Sequence, residues 1–282
     1  MLENNIENVQ ENVTSTEQEV QEEELIPLSN AAMFGLVMAK EKNCKGFIER
    51  ALGINVAKLK VLDIEKVFEV GIGIKGTRLD VYAEDDTGKA YDIEMQVKSE
   101  VKAYLGQRTR YYQSMMDTSM LKKGNKYWQL PDSYIIFVCT FDPFDADRKY
   151  YTFNNLCREE HDIELNDGCT KIFLYTKGHN GEVSAALNNV LNYIETKEPN
   201  DEYTLGLHDD VKLYNKDPKR RDAIMTVKDD EDLLKFIIAQ KDAELADKDA
   251  KLADKDAKLA KRAEDNNALR AQLRAAGIEP VV

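Results

Sequence analysis

Several things are scarce in this 282-residue chain, and each scarcity closes off a class of function. No run of about 18 apolar residues occurs, so nothing in the sequence is built to span a membrane. Histidine occurs three times and cysteine four times (Cys44, Cys139, Cys157 and Cys169), widely spaced and without a CxxC pair. A zinc site or a disulfide framework is therefore not expected, and the four thiols read as reduced and mostly buried. The opening MLENNIENVQENVTSTEQEV lacks the basic start and apolar stretch of a secretory signal, so a cytoplasmic location is expected. Basic residues are also missing from the N-terminal stretch. The first thirty residues hold eight glutamates and no Lys or Arg, and they supply a large part of the net charge of -13.

That overall charge argues against nucleic-acid binding until its distribution is considered. Residues 101–130 carry Lys102, Arg108, Arg110, Lys122, Lys123 and Lys126 against Asp117 alone. Such a segment suits a phosphate backbone, although charge alone fits a solvated helix face equally well.

Composition and periodicity divide the chain into four parts. Residues 1–28 are an acidic tail, expected to be disordered. Residues 29–200 carry the folded pattern. Within them Phe34, Val37, Met38, Phe47, Ile48 and Leu52 predict one amphipathic helix over 29–53, capped by Ser29 or Asn30 and ended by Gly53. Three strands follow over 56–98, separated by GIGIKG and by the hairpin signal DDTGK. A helix over 101–123, a buried strand at 133–141, strands at 150–153 and 171–176 and a helix over about 183–200 complete the set. Residues 201–240 read as a helical extension. Over 241–275 the repeats KDAELAD, KDAKLAD and KDAKLAK predict a charged heptad helix, either a weak coiled coil offering homo-oligomerisation or a lone helix held by surface ion pairs. The order gives an α/β fold with a mixed sheet flanked by helices and a C-terminal helical extension.

The chemistry concentrates in the second and third strands. Period two in YDIEMQVK puts Asp92, Glu94, Gln96 and Lys98 on one side, and Asp80 of TRLDVYA falls beside Glu94 across the hairpin. Opposed carboxylates repel unless a cation joins them, and Mg²⁺ prefers such oxygens while keeping waters that can attack a phosphodiester. The alternative is that this is only the wet face of a hairpin. Tyr127 and Trp128 read as a cover for the core, and DPFDAD at 142–147 as a turn.

Asp80, thirteen intervening residues and then Glu94-Met95-Gln96 resemble the Asp and (D/E)xK elements of the PD-(D/E)XK nuclease superfamily. The longer text RLDVYAEDDTGKAYDIEMQ, then QRTRYYQSMMDTSMLKKGNKYWQLPDSYIIFVCTFDPF, YTFNNLC and KIFLYTKG, is similar to the PD-(D/E)XK nuclease family transposases, relatives of the recombination-promoting nucleases. The resemblance covers roughly residues 29–200. It implies an αβββαβ core, Mg²⁺ or Mn²⁺, and hydrolysis of DNA as an endonuclease, with Asp80 and Glu94 as metal ligands. Gln96 stands where the superfamily has lysine, and Lys98, further along the strand, is a candidate to supply the missing charge. An added acid from the first helix would be Glu49, or else Glu41. Arg108, Arg110, Tyr112, Lys122 and Lys123 are the candidates for contacting DNA. The competing reading is a catalytically inactive protein that keeps the fold to bind DNA or a protein partner.

Overall fold

The structure is a computed structural model that describes residues 25–68, 77–218, 221, 224 and 230–275. The acidic segment before residue 25 and the GIGIKG turn lie outside them. The chain divides into two compact units, residues 1–226 and 227–282.

The first unit is a six-stranded mixed sheet flanked by helices. Its strands are β1 (Leu59–Phe68), β2 (Thr77–Asp85), β3 (Ala90–Gln96), β4 (Ser133–Cys139), β5 (Tyr150–Phe153) and β6 (Cys169–Tyr175), in the spatial order β1-β2-β3-β4-β6-β5. The first three form an antiparallel meander; β4 lies parallel to both β3 and β6, and β5 closes the edge antiparallel to β6. The parallel step from β3 to β4 needs a crossover, which α3 (Leu105–Met120) supplies after a 3₁₀ turn at Ser99–Tyr104. This is the αβββαβ order expected from the sequence.

One expected helix is two, α1 (Ala31–Met38) and α2 (Glu41–Leu52). The break falls at Lys40, whose backbone is extended. Asn43 Nδ2 donates to the Val37 carbonyl at 2.8 Å, satisfying an end group of α1, and also to Asp210 at 2.7 Å. Lys40 Nζ reaches the same Asp210. Asp210 belongs to α5 (Glu202–Asn215), so the break is fixed by a residue far away in sequence. α1 is buried from Ala32 to Met38, as an apolar helix inside a core must be. α4 (Ala185–Thr196) is capped by Ser184 and α5 by Asp201, each side chain accepting from the backbone three residues on.

Both faces of the sheet are covered. Tyr112, Met115 and Met116 of α3 pack on Tyr82, Ile135, Phe137 and Phe173. α1 lies against β1, β2 and β3. β3 is therefore buried along its whole length, and its acidic side is not a wet face.

The second unit contains α6 (Asp230–Ala275), 46 residues and so about 69 Å long. Leu252 and Leu259 are exposed on it, and Lys258 pairs with Asp254 one turn back at 2.6 Å. Among the described residues no helix is long and apolar enough to cross a membrane. All four cysteines are free. Cys44 and Cys139 are buried, which pushes each thiol up to about 12, and Cys157 and Cys169 are half-buried.

Candidate active site

The hairpin that carries the carboxylates is fixed at its turn by Asp85. Its Oδ1 accepts from Thr87 N, Thr87 Oγ1 and Lys89 N, and its Oδ2 from Tyr91 Oη at 2.7 Å. Burial alone would raise this carboxyl, but the four donors outweigh it and hold it below the usual carboxylate range. With that register set, the β2–β3 pairing runs from Glu84↔Ala90 to Val81↔Ile93. At the next position side chains take over the bonding. Asp80 N donates to Glu94 Oε1 at 2.9 Å, and Met95 N donates to Asp80 Oδ2 at 3.1 Å. Each carboxylate is thus anchored by the backbone of the opposite strand.

The row continues inward along β3. Glu94 and Asp92 are fully buried and Gln96 nearly so. Neither oxygen of Asp92 accepts a hydrogen bond from a donor among the described residues. Burial first, and then the proximity of Asp80, raises both Asp92 and Glu94 well above the usual carboxylate range; Asp92 adds to the effect on Glu94.

Among the described residues one cation answers this charge. Arg108, in the first turns of α3, donates through Nη2 to Glu94 Oε2 at 2.9 Å, through Nη1 to Gln96 Oε1 at 2.8 Å and through Nε to Tyr112 Oη at 2.7 Å. Gln96 Nε2 in turn donates to Glu94 Oε2 at 3.3 Å. Tyr112 lies four residues after Arg108, on the same helix face, with its ring beneath the guanidinium. Burial works against the guanidinium's charge, but Glu94 and Tyr112 more than offset it, so the group stays cationic.

The structure thus brings together Asp80, Glu94, Gln96, Arg108 and Tyr112, and adds Asp92, which sequence reasoning placed on this face without giving it a role. Its position in the alternation of YDIEMQ was the available signal. Arg108 and Tyr112 are turned from solvent into the acidic row, where the sequence reading had them on DNA. Lys98 lies beyond the end of β3 and is exposed. Glu49 accepts from Val56 N at 3.0 Å and faces Lys45, and Glu41 accepts from Leu59 N, so both close the connection between α2 and β1. Arg110, Lys122 and Lys123 are exposed, on α3 and just beyond it. Tyr127 and Trp128 do not cover the core; they are 88% and 81% exposed. Among the described residues no group of three or more His, Cys, Asp or Glu side chains is assembled that could hold a metal ion.

A mixed sheet with an anchored Asp and Glu on adjacent strands, backed by a helix that follows the Glu strand, defines a nuclease-like architecture. Residues 32–261 match the PD-(D/E)XK nuclease family transposase, and the chain belongs to that family. No curated protein and no solved structure gives a significant match.

Proposed function

We propose that this chain is a metal-dependent DNA endonuclease of the transposase or recombination-associated type, with Mg²⁺ as the ion and Mn²⁺ as a substitute. The observation that carries the reading is the pair Asp80 and Glu94 on adjacent strands, each anchored by a backbone amide of the facing strand. The fit of a hard divalent cation is supported by the raised carboxyls and by the unpartnered oxygens of Asp92, since uncompensated buried carboxylates are costly. Asp80 and Glu94 would hold the ion, which when bound supplies Lewis acidity toward the scissile phosphate and a lower pKa for the attacking water. Asp92 lies behind them as a reserve of negative charge.

The chain's own groups do the rest. Arg108 keeps Glu94 and Gln96 in one orientation and places a fixed positive charge beside the acidic row, where it stabilises negative charge developing on phosphate. Gln96, with its carbonyl held by Arg108, presents its amide hydrogens toward the carboxylates and can orient a water, although it brings no charge of its own. Arg110, Lys122 and Lys123, all exposed, would meet the phosphate backbone. Glu49 and Lys98 have no part in this reading.

One observation favours the alternative of an inactive, binding-only protein: Arg108 already occupies Glu94 Oε2 and so competes with a metal for it. Nicking of supercoiled plasmid decides between them. The proposal expects relaxation with Mg²⁺ or Mn²⁺, none with EDTA, and loss in Asp80→Ala and Glu94→Ala. Intact plasmid with folded wild-type protein in every metal supports the binding-only reading.

A further inference from the structure

The segment joining α3 to β4 exposes what a soluble protein normally hides. Tyr127 and Trp128, with Gln129, form a single 3₁₀ turn at Tyr127–Gln129, and the two aromatics are the most exposed large apolar side chains among the described residues. The turn is braced. Gln129 Oε1 accepts from Lys126 N at 2.7 Å, Gln129 N donates to the Lys126 carbonyl at 2.9 Å, and Leu130 N donates to the Tyr127 carbonyl at 3.1 Å. Before it the chain reverses at Gly124, whose φ of 95° favours glycine, with Asn125 N donating to the Lys122 carbonyl. Three lysines, Lys122, Lys123 and Lys126, frame the aromatics and are themselves exposed, with no acidic residue between Asp117 and Asp132.

We propose that this turn is a stacking platform for unpaired bases of single-stranded DNA. Aromatic faces beside lysines match that ligand twice over, bases stacking on the rings and phosphates pairing with the ammonium groups. Duplex DNA keeps its bases stacked inward and offers the rings nothing comparable. α3 holds Arg108 against the acidic row in its first turns and ends at Met120, shortly before the platform, its 16 residues spanning about 24 Å. Arg110, Ser114 and Thr118 are exposed along it at four-residue spacing, giving a strand a polar track between the two ends. The inference rests on the proposed action on DNA and adds that the protein holds an unpaired stretch away from the point of cleavage.

Trp128 is the chain's single tryptophan, so its fluorescence reads the platform directly. The experiment titrates the full-length protein with an oligothymidine of about 16 nucleotides, the upper end of single-strand site sizes, and separately with a duplex of equal length. EDTA is present throughout, so that cleavage plays no part. The expected result is saturable quenching by the single strand and little by the duplex. Affinity, followed by anisotropy of the labelled oligonucleotide, should fall about tenfold in Trp128→Ala. Replacing Lys122, Lys123 and Lys126 by Gln should flatten the slope of log affinity against log salt by about two. Both sets of positions are exposed, so these variants keep the fold. Absence of quenching by the single strand, or quenching by the duplex alone, overturns the proposal. Its failure is distinguishable from that of the nuclease reading: quenching can persist in a protein that cuts nothing, and plasmid can be cut by a protein whose tryptophan never responds.

Discussion

Asp92 is the residue on which the chemistry of the metal-free protein turns. A fully buried carboxylate beside Glu94 and Asp80 is more easily protonated in the folded chain than in the unfolded one. The folded state then binds more protons, so stability falls as pH rises from the unfolded carboxylate range, near pH 4, toward the raised folded values. Asp85, Asp142 and Asp201 are shifted the other way: burial opposes their charge but hydrogen bonds outweigh it, and what they contribute is present above the unfolded pKa and lost as acid is added. Between about pH 5 and pH 8 the raised pair, joined by Asp117, which burial also raises, acts in one direction, and the melting temperature in EDTA is expected to decline. Asp92→Asn should flatten that decline and raise the melting temperature near pH 8 by about 3 °C, the equivalent of roughly 1 kcal/mol for a unit of this size. A melting temperature that climbs over this range would refute the assignment. Arg108 makes the opposite case. Arg108→Ala leaves Glu94 without its cation and should cost about 3 kcal/mol, read from the urea midpoint. Arg108→Lys should recover only part of this, because one ammonium cannot span Glu94, Gln96 and Tyr112 together.

At the scale of elements, the β2–β3 hairpin is the part most responsible for the site, because its register alone puts Asp80 opposite Glu94. Asp85→Ala removes the acceptor of four hydrogen bonds at the turn and is expected to destabilise the protein by on the order of 2–3 kcal/mol, with a parallel loss of metal-dependent nicking. Unchanged urea and activity profiles would show that the turn is set elsewhere. This hairpin was also the most legible part of the sequence: alternation and the DDTG turn give the strands, the shared face and the opposition of the carboxylates. The break between α1 and α2 was not legible, since Asn43 and Lys40 are directed by Asp210, some 170 residues on, and no local pattern contains that partner. The burial of the acidic face was hidden for a similar reason. Alternation tells which residues share a side, whereas α3 decides whether that side meets water. Arg108 and Tyr112 were visible as a helical pair, but their turn toward Glu94 depends on how α3 crosses the sheet. Tyr127 and Trp128 were misjudged because apolar composition was taken for burial, while a braced 3₁₀ turn holds them outward.

For the molecule as a whole, the chain divides into two compact units, and a chain ended after Thr226 keeps the buried Ile224 and should retain the cooperative unfolding transition of the first unit. A broad, uncooperative melt of that chain would contradict the division. We propose, of the two alternatives the heptad repeats leave open, self-association through α6, with the exposed Leu252 and Leu259 as its apolar contribution; sedimentation should then show an oligomer for the full chain and a monomer after truncation, and a monomeric full chain would favour the lone helix. The net charge of -13 is no obstacle to DNA when residues 101–130 hold six basic side chains against one acidic. The central claim, that the acidic row of β2 and β3 is a cation site, is tested most directly by Mn²⁺ binding to the purified protein, followed by loss of the free-ion paramagnetic resonance signal. The account predicts saturable binding displaced by excess Mg²⁺, abolished in Asp80→Ala and in Glu94→Ala and intact in Glu49→Ala. Folded wild-type protein that leaves the free-ion signal untouched, or binding that survives the loss of Asp80, would contradict it.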